Sequence, residues 1–186
     1  MRKKCLIIGD SFAANTQSQS WIQCLDMFDI TNLSANGISE YKILKKLNSV
    51  NILDFSHVII VHTSPNRVYV QNNPLHYTDP DYKECDLIYS DVAEKSGEYS
   101  KNVLWYFKHI FDLEYAETVY ELMVERINKN LSTHCTLHLT FFNNIKNPLI
   151  NDLSEIWQKY PGNINHLSVE GNQKVLEFVL ANFNDC

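Results

Sequence analysis

The stretch "CLIIGDSF", residues 5–12, decides the fold. Four apolar residues, Cys5 to Ile8, run without interruption into Gly9, an acid and an alcohol. A short continuous apolar run closed by glycine reads as a parallel strand covered on both faces. The run Val58 to Val61, inside 57–63, repeats the signal. Between the two, the pattern predicts a helix near 18–27, a short strand at 30–33 and a helix from 39 to about 47. This β-α-β-α-β order predicts right-handed crossovers and an open, doubly wound, mostly parallel sheet with helices on both sides. Its functional groups should collect beyond the carboxyl ends of the strands.

Farther along, the pattern weakens. From Pro65 to about Gly97, Pro74, Pro80 and many Asn and Asp residues leave no clear element. A stretch that long inside a compact domain reads as a functional loop or lid insertion, about 67–97. Its Tyr69, Tyr77, Tyr82 and Tyr89 suit a lid over a sugar, and its Asp79, Asp81, Glu84 and Asp86 read as a solvated acidic loop. A helical stretch at 99–111 precedes an amphipathic helix marked by Ala116, Val119, Tyr120, Met123, Val124 and Ile127. A strand at 136–142, a polar stretch and a last helix at 169–183, with Ser168 as its N-cap, complete the reading. No repeat or linker divides 1–186.

Hydrophobic residues make up 45% of the 186 and charged residues 20%, the balance of an ordinary globule. A net charge of -6, with a basic run only at Arg2, Lys3 and Lys4, argues against general electrostatic attraction to nucleic acid or anionic lipid. Neither a secretory h-region nor a membrane span is read from the sequence, and five widely spaced cysteines favour reduced thiols. Together these make the cytoplasm the expected compartment.

Ser11 leaves the first predicted strand where its hydroxyl would stand at the carboxyl edge of the sheet, a position suited to a nucleophile. At the other end of the chain, "GNINHLSVEG" (162–171) places His166 in a loop two residues before the cap of the last helix. An imidazole held there can reach the same edge and take the hydroxyl proton. Asp10 reads as a support residue that accepts amide hydrogen bonds. His62, near the end of the third strand, is a candidate to line the pocket, as is Tyr69. His134 and His138 share a strand face but lack a nearby third ligand, so no metal site is read from them. The first turn carries only Gly9 and lacks GxGxxG or GxxxxGK[ST], which disfavours a nucleotide- or flavin-binding domain.

Four blocks in order — GDSF, Gly37 in "LSANGIS", Asn66 in "HTSPNR" and "NINHLSVEG" — resemble those of the SGNH, or GDSL, hydrolase family. The resemblance implies a three-layer α/β/α, flavodoxin-like fold and a serine esterase or carbohydrate O-deacetylase acting on a small-molecule or glycan ester. It implies Ser11 as nucleophile, forming an acyl-enzyme, and His166 as general base. It further implies an oxyanion hole from the amides of Ser11 and Gly37 and the side chain of Asn66, with no metal or cofactor.

Two positions depart from the family pattern. Arg67 follows Asn66 where the family more often has Asp, and is a candidate to bind a substrate carboxylate or phosphate or, equally, to pair with one of the many nearby acids. Asn163 stands three residues before His166, where the family usually supplies a carboxylate. Replacing the orienting Asp of such a triad by Asn typically costs about 10⁴ in kcat. The Asn163 side-chain oxygen or a backbone carbonyl near Gly162 can then accept the imidazole proton, and Asp152 is a candidate replacement carboxylate. The alternative is a catalytically weakened relative that binds a glycan or acyl compound without efficient turnover.

Overall fold

The computed structural model describes residues 2–14, 20–76, 79–93, 96–162 and 166–183. Five strands, β1 Lys3–Gly9, β2 Phe28–Asn32, β3 His57–His62, β4 Cys135–Thr140 and β5 Asn151–Asp152, form one sheet in the order β2-β1-β3-β4-β5. Every pairing is parallel. The direction of winding reverses between β1 and β3, and such a switch point opens a crevice beyond the strand ends.

The alternation of side chains along the strands explains why the runs are continuously apolar. Cys5, Ile7, Ile59, Val61, Leu137 and Leu139 pack on one face with Trp21 and with Val175, Val179 and Phe183 of α6 (Val169–Phe183). Leu6, Ile8, Val58 and Ile60 pack on the other with Ile43 and Leu47 of α1 (Glu40–Leu47) and Ile127 and Leu131 of α4 (Leu113–Leu131). A polar residue in either register would lie buried, and burying an unpaired polar group is costly. Three further helices are α2 Tyr89–Ala93, α3 Glu98–His109 and α5 Ser154–Lys159.

Several expectations are corrected. Instead of a helix at 18–27, the described residues hold one 3₁₀ turn, Trp21–Cys24. Trp21 is pinned by tertiary bonds: its N–H donates to Asn172 Oδ1 at 3.0 Å and its Nε1 to the Phe12 carbonyl at 3.0 Å. The 67–97 segment is not featureless, since it contains α2 and an antiparallel bridge between Val68 and Leu87. Nor is Asp86 solvated. It is buried, accepts from Ser39 N–H at 2.7 Å and Val70 N–H at 2.9 Å, and pairs with Lys42 Nζ at 2.7 Å, so it ties this segment to the start of α1.

The polar stretch after β4 holds β5 and α5, which carry too few residues for a periodic signal. The 99–111 stretch is α3, and Asp112 starts α4 as a separate helix by accepting the Tyr115 N–H at 2.8 Å. Cys135 is disulfide-bonded, against the expectation of reduced thiols, with its partner outside the described residues. Among the described residues no helix is long and apolar enough to cross a membrane.

Gly9 fixes the geometry at the switch point. A Cβ there would lie 2.5 Å from Val61 Cβ, so only glycine lets β1 and β3 run side by side to their ends. Immediately beyond it the Asp10 N–H donates to the Val61 carbonyl at 3.3 Å.

Candidate functional site

Past Gly9 the chain turns at once: the N–H groups of Ala13 and Ala14 both donate to the Asp10 carbonyl at 3.0 Å. Asp10 is buried and accepts the Phe12 N–H on Oδ1 at 3.1 Å, which fastens the turn around Ser11. Burial pushes its carboxyl up to about 7, opposed by the Phe12 N–H and the Arg67 charge and reinforced by Glu40. Such a shift is the desolvation effect expected for a carboxyl without a full charge partner.

His166 reaches the same edge from the far end of the chain. A short hairpin carries it: the Gly162 N–H donates to the His166 carbonyl at 2.6 Å, and the Ser168 N–H to the Tyr160 carbonyl at 2.9 Å. Gly162 packs so closely on the Leu167 carbonyl that a side chain would collide with it. Ser168 then starts α6, its Oγ accepting the Gly171 N–H at 3.2 Å, as its cap position predicts. The His166 ring lies against Phe12, centroids 5.8 Å apart.

Ser11, Gly37, Arg67 and His166 line one pocket of about 470 Å³. Phe12, Phe142 and Trp157 supply its apolar wall, while His76, Tyr82 and Cys85 come from the 67–97 segment. Gly37 has φ +63°, the left-handed conformation, and a Cβ there would collide with Cys85 Sγ. Both nitrogens of His166 are buried without a hydrogen-bond partner among the described residues. Asn163 lies outside those residues. Asp152, the candidate replacement carboxylate, accepts the Ser154 N–H at 2.8 Å at the start of α5 and does not line the pocket.

The remaining candidates lie elsewhere. Asn66 is half-buried in the turn after β3, its N–H 3.3 Å from Ser64 Oγ, and does not line the pocket; its Oδ1 is buried and unpartnered. Tyr69 lines a second, more apolar cavity of about 570 Å³ with Tyr41, Tyr106, Tyr115 and Tyr120, and Arg67 borders both cavities.

His62 is wholly buried beneath the crevice. Its Nδ1 meets Glu40 Oε1 at 2.8 Å and its Nε2 meets His138 Nδ1 at 2.8 Å. Burial, with the His62 charge, pushes His138 down to about 3. Tyr120 closes the cluster near His62, and burial, then the charges of Glu40 and Asp10, raises its phenol above the usual value. Glu40 had no distinguishing mark in the sequence, where a glutamate in a first helical turn reads as an ordinary exposed acid.

One set of side chains among the described residues converges as metal ligands would: His76, Cys85 and Asp91, whose ligand atoms lie within 4.8 Å of one another. The Arg67 guanidinium beside them, Nη1 4.0 Å from Asp91 Oδ2, opposes a cation there, and burial pushes the Cys85 thiol up to about 11. Comparison of the chain with family models, curated proteins and solved structures finds no match. The class defined by the fold is an α/β protein with a five-stranded parallel sheet and a polar pocket at its switch point.

Proposed function

We propose that the protein is a serine-dependent ester hydrolase of the SGNH type, with a flavodoxin-like, three-layer fold, acting on a small-molecule or glycan ester. The observation that carries this reading is that Ser11 and His166, from opposite ends of the chain, line one pocket with Gly37, and that the imidazole nitrogens have no partner among the described residues. A buried histidine with both nitrogens unused is costly unless it acts on something that enters the pocket.

In this chemistry the Ser11 hydroxyl attacks the ester carbonyl carbon as its proton passes to His166, and the carbonyl π pair moves onto oxygen. The resulting oxyanion meets the amides of Ser11 and Gly37. Its electron pair returns to re-form the carbonyl, the bond to the alcohol oxygen breaks, and His166 protonates the leaving alkoxide. Water, deprotonated by His166, then releases the acyl group from Ser11 by the same steps. Amides already fixed by a turn need no reorganisation at the moment charge develops.

One observation favours a second reading. His166 Nδ1 has no acceptor among the described residues, so nothing there orients the ring. A glycan- or acyl-binding domain with weak turnover fits that feature. Labelling with a fluorophosphonate probe separates the two: adduct at Ser11, absent in Ser11→Ala, supports the hydrolase, and an unlabelled protein that binds acetylated sugar supports the binding domain.

A further inference from the structure

Arg67 ends the turn after β3, its N–H donating to the Ser64 carbonyl at 3.2 Å. Its side chain is only 12% exposed, yet Nε and Nη1 are buried with no hydrogen-bond partner among the described residues. Among the described residues Arg67 pairs only with Asp91, at 4.0 Å and beyond hydrogen-bond reach, and its charge also acts on Asp10. Leaving buried donors unused is costly, most of all on a charged group. Those donors therefore call for an acceptor that arrives with the substrate.

Position indicates which acceptor. A Cβ built on Gly37 would sit 3.1 Å from Arg67 Nη1, so this donor lies directly beside the Gly37 backbone, in the pocket that also holds Ser11 and His166. Asn66, the side-chain donor implied by the family resemblance, does not line that pocket.

Resting on the serine-hydrolase reading, we propose that Arg67 replaces Asn66 as the side-chain donor of the oxyanion hole. When Ser11 attacks and the carbonyl π pair moves to oxygen, the charge develops next to Gly37, where Arg67 Nη1 donates to it together with the amides. An unpartnered donor in the resting protein is what such a role requires, because an interaction made only in the transition state raises kcat rather than tightening ground-state binding.

The test is the rate at which an uncharged alkyl fluorophosphonate labels Ser11, where Oγ attacks phosphorus, fluoride leaves and the proton passes through His166 to solvent. Arg67→Met should slow labelling by about 10²–10³-fold. Arg67→Lys should recover part of the rate, and Asn66→Ala should be at least about ten-fold less damaging than Arg67→Met. With a neutral aryl ester the Arg67→Met loss should fall on kcat and leave KM within a few-fold. Labelling of Arg67→Met at the wild-type rate overturns the proposal. So does a larger loss in Asn66→Ala than in Arg67→Met, and Asn66→Ala alone does so if it slows labelling 10²-fold, whether or not the Arg67 variants fold. Wild-type protein that is not labelled at Ser11 removes the hydrolase reading itself, an outcome distinct from either of these.

Discussion

One histidine lies buried beneath the crevice and another at its wall, and their hydrogen bonds set them apart. His62 uses both ring nitrogens internally, one on Glu40 and one on His138, and is wholly buried. His166 is half-buried at the pocket wall and bonds no described residue through either nitrogen. A ring with both nitrogens occupied has nothing left to offer a substrate and serves to tie α1 to β3 and β4. A ring held by its backbone hairpin and by Phe12, with its nitrogens unspent, is equipped to carry a proton. On the proposed function, satisfaction of hydrogen-bonding capacity therefore separates the structural site from the chemical one better than residue type does.

The sharpest way to break this contrast is Ser11→Ala, with His166→Ala beside it. On the proposed chemistry each lowers kcat on a short-chain aryl ester by about 10³-fold or more while the melting temperature stays within a few degrees. Comparable loss from His62→Ala in a folded protein would move the chemistry to the buried cluster. Instead, His62→Ala should cost about 3–5 kcal/mol of stability by urea denaturation, because buried Glu40 loses its ring partner and, among the described residues, keeps only the Thr63 N–H at 3.4 Å.

A pH series sharpens the comparison further. The Asp10 carboxyl is raised in the folded state, so its contribution is fully present below about pH 4, its unfolded value, and is lost as pH rises through about 7. Wild type should lose about 1.4 kcal/mol per pH unit across that window relative to Asp10→Asn, whose amide keeps the Phe12 hydrogen bond without ionising. Parallel stability curves for the two proteins would exclude the shift. The smallest effect belongs to Gly37→Ala, which should cost about 1–2 kcal/mol from its left-handed backbone, with the collision against Cys85 adding to it. On the proposed chemistry this variant also reduces kcat, and unchanged kcat would remove Gly37 from the site.

Much of the frame was legible in the sequence, for a physical reason. β1 and β3 bury both faces and so carry unbroken apolar runs, and α6 carries helical periodicity behind a serine cap. The pairing of Ser11 with His166 in one pocket was legible because switch-point topology sends the ends of β1 and the loop before α6 to one edge. What escaped depends on contacts between distant residues. The turn at Trp21 is held by Asn172 and Phe12, and β5 is two residues long. Asp86 looks like its solvated neighbours until Ser39, Val70 and Lys42 close around it. Glu40, His62 and His138 come from α1, β3 and β4, and no local pattern links them.

Gly9 also limits how the site can be reshaped. With Val61 so close that a methyl group has no room, the strand ends at the crevice cannot be enlarged or trimmed to suit a new ligand. Any variant library aimed at bulkier esters should hold Gly9 and Val61 constant and diversify Tyr82, Ile88 and Ser90, which border the opening from a segment that the sheet does not constrain.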